Sequence, residues 1–458
     1  MSDALIQSLE RELGPGGVLT GEAAQEKAVS GWSRVGSPLA VIRPSTTLEV
    51  SAVLRLCNEA RQPVTPWGGK TGLVHGIFAD GMFALSLERM DKIEEVDPVG
   101  KTLTAEVGCI LQNACDAAEE HDLLLPLDLG ARGSAMLGGV ISTNAGGNRV
   151  VRYGMMRDSV LGLEAVLADG TVVSSMNHLI KNNAGYDLKQ LFIGSEGTLG
   201  VVTRCVLRLR QLPHSQDTAW IGIDSFDCLP RLLRHLDRGL AGNLSAFEVM
   251  WKEYVDLVTS PPALGRSPLQ DDWPLYVLVE QQGLDQEADS ARFEEVLMEA
   301  MEQGLIADAA LAKSQAERNA MWELRDDVGQ TSRNWPIYNY DVSLRIGHME
   351  GYVNEVRAAM EAEWPDKATL TVFGHMGDGN LHLIAGVPDR EKATKARLNE
   401  LIYEPLRALG GSVSAEHGIG IEKRDYLSVT RNEAEVALMR TLKSTLDPNG
   451  ILNPGKVL

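Results

Sequence analysis

Apolar and polar positions alternate with two different periods along this chain, and the switch between them outlines its elements. MSDALIQSLERELG at the start reads as a short amphipathic helix. In PSTTLEVSAVLRLCNEARQPV, Thr46 and Glu49 stand at capping-box spacing, followed by Val50, Val53, Leu54 and Cys57 at the spacing of one helix face. Strand-like runs follow at MFALSL, TLTAEV and LEAVLADGTVVSS, the last a hairpin about Asp169-Gly170. LGVVTRCVLRLRQ (199–211) alternates as a further strand, and a boundary is placed near Leu212-Pro213. Beyond it, the strand runs AWIGIDS, WPLYVLVEQQ, PIYNYDVSLRI and ATLTVFG alternate with charged helices such as EADSARFEEVLMEAMEQG. That is an α+β pattern, a sheet with covering helices. A last helix, NEAEVALMRTLKSTLD, runs into the Pro/Gly-rich tail PNGILNPGKVL.

The stretch FGHMGDGNLHL (373–383) holds two histidines symmetrically about Asp378-Gly379. Asp-Gly between apolar runs signals a hairpin with a type I′ loop, which would set His375 directly opposite His382 on one face. Directly opposed Cβ atoms lie about 4.5–5.5 Å apart. Two imidazoles so placed can chelate one ion or simply stack, and the hairpin alone leaves both open.

Composition narrows the function classes. The chain has 458 residues, 44% apolar and 23% charged, the profile of a globular protein of two or three domains. A net charge of −20 disfavours nucleic acid and anionic membrane surfaces as partners. No run approaches the roughly 18 apolar residues of a membrane span, and the N-terminus has no signal-peptide pattern. The five cysteines lack CxxC spacing and are odd in number, as expected of free thiols. The chain is therefore expected to be cytoplasmic, or at most peripheral to the inner membrane.

Three glycine-rich segments share the first half: PWGGKTGLVHG (66–76), PLDLGARGSAMLGGVISTNAGGNRVVRYG (126–154) and IGSEGTLGVVT (193–203). Glycines let backbone approach phosphate oxygens and let successive N–H groups form an anion nest. None of the three is a strand–GxGxxG–helix fingerprint or a Walker loop. Together they are expected to line a crevice for an extended, phosphate-bearing ligand, a dinucleotide bound outside the Rossmann mode.

These segments, in this order and spacing, resemble the FAD-binding domain of the vanillyl-alcohol oxidase/p-cresol methylhydroxylase superfamily. From about residue 38 onward the chain resembles the branch of D-lactate dehydrogenase, D-2-hydroxyglutarate dehydrogenase and the glycolate oxidase flavin subunit. The resemblance implies an α+β fold: a two-part FAD-binding domain over 1–212, a substrate (cap) domain with an antiparallel sheet over 213–413, and a C-terminal segment, 414–458, returning to the flavin. It implies that Pro66, Gly68, Gly69, Lys70, Thr71, Gly72 and Leu73 hold the FAD pyrophosphate region. Ser134, Gly138, Gly139, Thr143, Asn144, Gly146 and Gly147 would wrap the flavin and ribityl chain. Glu196, Gly197 and Val201 would close over the adenine side, and Asn453 would return to the flavin ring. Some superfamily members attach FAD to a histidine following a glycine pair; Lys70 stands there, so FAD is expected to be non-covalent.

SAEHGIGIEKR (414–424) adds Glu416 and His417. Two histidines and a carboxylate suit Zn²⁺ or another divalent ion with positions left open, and by resemblance His375, His382 and Glu416 are the ligands. His417 is then the candidate general base, its alternative being a hydrogen bond that orients a ligand. Arg325, in MWELRDDVG, matches the arginine that pairs with the substrate C1 carboxylate, and Trp322 and Leu324 beside it point to partial burial. Three positions depart from the D-2-hydroxyglutarate pattern: Gly329 for a threonine, Asn339 for a lysine and Ile384 for an asparagine. Ile384 should share the face of His382. These losses favour D-lactate or a less polar D-2-hydroxy acid, with Arg345 as a substitute cation if the substrate is a dicarboxylate.

The expected function is FAD-dependent, metal-assisted oxidation of an (R)-2-hydroxy acid, with hydride transfer to flavin N5. The alternatives are a D-2-hydroxyglutarate or D-malate dehydrogenase, and a non-catalytic flavoprotein subunit of an electron-transfer complex. A 2-His-1-carboxylate iron oxygenase would leave the glycine segments unexplained. The electron acceptor (electron-transfer flavoprotein, quinone or cytochrome) and a homodimeric state are left open by the sequence.

Overall fold

The computed structural model describes residues 2–458, which divide into two compact units. The first unit comprises residues up to Gly147, Gly154–Leu212 and Glu416–Leu458; the second comprises Asn148–Tyr153 and Pro213–Ala415. The C-terminal stretch from Glu416 packs within the first unit.

The first unit opens with α1 (Ser2–Leu13) and contains two larger sheets and a two-stranded one that pairs Leu123–Leu124 with Arg210–Gln211. One has strand order β1-β2-β4-β3, formed by β1 (Val18–Leu19), β2 (Ala40–Ile42), β3 (Val64–Trp67) and β4 (Phe83–Ser86). Its central strand β4 pairs in parallel with both β2 and β3. Between β2 and β3, α2 (Thr47–Ala60) starts as its sequence predicts: the Thr46 hydroxyl accepts the Glu49 N–H. The reciprocal bond is displaced by one residue, because the Glu49 carboxylate takes the N–H of Ser45 at 2.6 Å. Val50, Val53, Leu54 and Cys57 are fully buried in the unit's main core, the face their spacing marks out.

The second sheet is antiparallel, in order β5-β6-β9-β7-β8: β5 (Ile93–Asp97), β6 (Thr102–Glu106), β7 (Val160–Val166), β8 (Val172–Ser175) and β9 (Val201–Arg208). The β7–β8 turn carries Gly170 at φ 87°, as the Asp169-Gly170 signal requires. The C-terminal tail closes the unit. Leu452 bridges Val64 in parallel, and the Asn453 N–H reaches the Val64 carbonyl at 2.8 Å. That pairing sets Asn453 beside the start of β3.

The second unit is built on a seven-stranded antiparallel sheet in order β13-β10-β12-β11-β15-β16-β14. Its strands are β10 (Ser215–Ile223), β11 (Leu244–Trp251), β12 (Leu275–Gly283), β13 (Asp308–Leu311), β14 (Ile337–Ser343), β15 (Thr369–Gly374) and β16 (Asn380–Gly386). Helices α3 (Gln286–Glu302) and α4 (Gln315–Asp326) contact it. Strand β11 was not anticipated from the sequence. The segment 148–153 belongs to this unit because Arg149 pairs with the buried Glu280 at 2.9 Å and stacks on Trp322.

Candidate active site

The β15–β16 hairpin differs in register from the sequence expectation. Phe373, not His375, lies directly opposite His382. The connection is a five-residue loop, in which Met376–Asp378 forms a 3₁₀ turn and Gly379 alone takes a left-handed φ of 90°. The Asn380 N–H returns to the His375 carbonyl at 3.2 Å. Two residues of slip preserve the face, because side chains alternate with period two. The two imidazoles are accordingly still adjacent, centroids 5.3 Å apart and edge to face.

His375 is buried, and its Nδ1 lies 2.7 Å from Glu248 Oε1 on β11. The other carboxylate oxygen of Glu248 accepts from Arg325 Nε at 2.7 Å, a pair almost wholly out of solvent. The Arg325 guanidinium also lies over the Phe373 ring at 5.1 Å, and its Nη2 sits 3.4 Å from both ring nitrogens of His375. Arg325 is thus not a free cation. Its Nε is committed to Glu248, leaving the Nη groups with only long contacts. Burial alone would raise the Glu248 carboxyl, but the charges and hydrogen bonds of His375 and Arg325 outweigh it and hold the group at about 2. Burial opposes the Arg325 charge, and Glu248 and Asp326 overcome that, pushing the guanidinium up.

The same sheet face continues as an apolar cluster containing Phe373, Ile384, Tyr254, Trp220 and Leu324. Ile384 pairs directly with the exposed Asn339, so two of the three departures from the D-2-hydroxyglutarate pattern form one cross-strand pair. Gly329 is exposed on a short 3₁₀ helix, and Arg345 is exposed just past β14. Asn380, also buried, has both ends of its carboxamide without a partner. Beside His382 in the ladder, the buried Asp341 accepts the N–H of Ala415 at 2.9 Å.

In the first unit a crevice of about 360 Å³ is lined by the three glycine-rich segments together with Glu416, His417 and Asn453. Pro66, Gly68, Gly69, Lys70, Thr71, Gly72, Leu73, Gly138, Gly139, Thr143, Gly146, Glu196, Gly197 and Val201 all border it. Three expected cofactor contacts do not. Ser134 borders a smaller cavity of about 200 Å³ behind Gly69 and Lys70. Asn144 caps the helix Leu137–Thr143 and accepts the Arg157 N–H at 2.8 Å. Gly147 is needed for close approach: a Cβ there would fall 2.0 Å from the Asp128 carbonyl.

The crevice suits a dinucleotide on its own geometry. A Cβ at Gly72 or Gly139 would meet no protein atom within 4 Å, so open space lies in front of both backbones. The Asn453 Nδ2 donates to the carbonyls of Glu196 and Gly76, while its buried Oδ1 has no partner in the protein. A buried acceptor without a donor is costly, and a flavin ring N–H would supply one. Lys70 turns its amine onto the Lys27 carbonyl at 2.6 Å. The Glu196 carboxylate accepts the N–H groups of Ile419 and Gly420. Burial pushes this carboxyl up, against the pull of those two N–H groups and of Lys423.

Fold and crevice together define a flavin-linked oxidoreductase. The FAD binding domain family matches residues 38–175, and the C-terminal domain family of FAD linked oxidases matches residues 212–457. D-2-hydroxyglutarate dehydrogenase of Bos taurus, a mitochondrial protein, is 39% identical over 100% of this chain and 84% of its own length. The bacterial D-2-hydroxyglutarate dehydrogenase of Xanthomonas citri pv. viticola is 38% identical over 100% of this chain and 97% of its own length. In fold, p-cresol methylhydroxylase superposes with a TM-score of 0.79 at 16% identity, covering 100% of this chain and 96% of that one. The chain belongs to the FAD-dependent D-2-hydroxy-acid dehydrogenases, on the p-cresol methylhydroxylase type of fold. These relatives favour the dicarboxylate alternative over the D-lactate-like substrate expected from Gly329, Asn339 and Ile384. Among the described residues, no helix is long and apolar enough to cross a membrane.

Proposed function

We propose that the chain oxidises a D-2-hydroxy acid to the 2-oxo acid with non-covalent FAD and a divalent ion held by His375, His382 and Glu416, and that D-2-hydroxyglutarate is the leading substrate. The observation that carries this reading is the glycine-lined crevice with Glu416, His417 and Asn453 on its wall. Bound FAD supplies the hydride acceptor, and a bound divalent ion supplies Lewis acidity at the substrate hydroxyl and carboxylate. His417 takes the hydroxyl proton, and the Nη groups of Arg325 face the C1 carboxylate. Asn453 Oδ1 accepts from the flavin ring.

Several features support the ion. Glu248 occupies Nδ1 of His375, which leaves Nε2 as the ligating nitrogen. Ala415 is tied to Asp341, the cross-strand neighbour of His382, and Glu416 is the next residue in the chain. The test is anaerobic flavin bleaching across D- and L-2-hydroxy acids, before and after metal removal by a chelator. D-2-hydroxyglutarate should bleach the flavin fastest, and chelation should stop bleaching while FAD stays bound. Bleaching by L-acids alone, or full activity in metal-free protein, would refute the corresponding part. Acid precipitation should leave all flavin in the supernatant; flavin in the pellet would show a covalent bond.

The second reading, a less polar D-2-hydroxy acid, is favoured by Ile384 lying in the apolar cluster directly opposite Asn339. Rebuilding the pair as Ile384→Asn with Asn339→Lys adds a charge-assisted bond for a distal carboxylate, about 1.5–3 kcal/mol. It should raise kcat/KM for D-2-hydroxyglutarate at least ~10-fold and leave D-lactate unchanged. No gain would move the distal carboxylate elsewhere, and Arg345→Ala would be measured next.

A further inference from the structure

Glu196 is a half-buried acid whose conformation serves four hydrogen bonds at once. Its backbone sits at φ 52°, a left-handed geometry that non-glycine residues adopt at a cost. Its N–H donates to the Ser142 carbonyl at 2.8 Å, and its carbonyl accepts from Asn453 Nδ2 at 2.8 Å. Its two carboxylate oxygens accept separately, Oε1 from the Ile419 N–H at 2.7 Å and Oε2 from the Gly420 N–H at 2.9 Å. Between those residues and His417 stands Gly418, at φ 84°; a Cβ there would lie 2.9 Å from Glu196 Oε1. The segment 417–420 is therefore shaped around this carboxylate. It contains no regular helix or strand, and the Ile419 and Gly420 carbonyls accept from the N–H groups of Lys423 and Val457.

We propose that Glu196 is a positioning residue for the flavin reaction: its carboxylate pins the Ile419 and Gly420 amides and so sets where His417 stands on the crevice wall, while its carbonyl orients Asn453. The proposal rests on His417 acting as the general base. A residue placed about 1 Å off can cost ~100-fold in rate, because proton transfer needs hydrogen-bond reach. A carboxamide cannot reproduce the pin, since one of its two ends is a donor facing an N–H donor.

The test uses the FAD-loaded full chain and four variants: Glu196→Gln, Glu196→Asp, His417→Gln and the Glu196→Gln/His417→Gln double variant. Amide hydrogen exchange at Ile419 and Gly420 should speed up at least ~10-fold in Glu196→Gln, from loss of the charge-assisted acceptor pair. Flavin reduction at saturating D-2-hydroxyglutarate should slow by at least ~10-fold per bound flavin, with FAD content unchanged, and Glu196→Gln should add nothing in the His417→Gln background. Normal exchange, multiplicative losses in the double variant, or lost FAD with an unchanged rate per bound flavin would each overturn the proposal. If Glu196→Gln does not fold, Glu196→Asp, one methylene too short to reach both amides, is read by the same measurements. If His417→Gln reduces flavin at the wild-type rate, the base assignment has failed, and the exchange rates alone decide whether Glu196 pins the loop.

Discussion

Replacing His417 with glutamine is expected to slow flavin reduction by D-2-hydroxyglutarate about 10²–10⁴-fold, the usual contribution of a positioned general base. His417 lines the cofactor crevice, in a loop whose next amides are held by Glu196. Glutamine is similar in reach and polarity but cannot accept and retain a proton near neutral pH. FAD content should therefore stay at one per chain while the rate falls. Rapid-mixing measurements of flavin bleaching check both points. A loss below tenfold would leave His417 as a hydrogen-bonding partner and require another base.

Much of this site could be read from the sequence where the signal was local. The capping residues before α2, the Asp169-Gly170 turn and the three glycine-rich segments each have short-range causes, and they appear where those causes place them. The histidine hairpin is legible, but its loop is not. Asp378-Gly379 signals a two-residue turn, whereas only Gly379 takes positive φ and the turn starts at His375. The error kept parity, so the two imidazoles remained neighbours. Glu248 went unseen for a different reason. It lies 77 residues from Arg325 and 127 from His375, so no local spacing connects them. The available signal was a single carboxylate inside the apolar run LSAFEVMW, since a charge buried in such a strand needs a partner. A motif match names Glu196 as a cofactor neighbour without saying which way its carboxylate turns, and it turns onto the Ile419 and Gly420 N–H groups.

Replacing Glu248 with alanine is expected to damage stability and metal binding together. Arg325 is about 5% exposed in its side chain, so removing its carboxylate leaves a buried guanidinium with only long contacts to Asp326 and His375. Breaking such a pair from one side costs about 3–5 kcal/mol. His375 simultaneously loses the acceptor that fixes its ring, and losing such an orienting partner lowers metal affinity about 10–100-fold. Glu248→Gln should keep the fold better, because one amide oxygen can still accept, yet its NH₂ end must face either Arg325 or the His375 N–H. The acid limb separates charge from packing. The folded-state carboxyl is held at about 2, below the ordinary value near 4.3. Its stabilising effect is therefore fully present above about pH 4.3 and lost as the pH falls towards 2. Wild type and Glu248→Gln should differ most in unfolding free energy at neutral pH and converge near pH 2, measured by denaturant titration at each pH. A constant gap across that range would assign the difference to packing. Equal metal stoichiometry and equal affinity in wild type and Glu248→Ala would separate His375 from the ion, leaving Glu248 as the counter-charge of Arg325 alone.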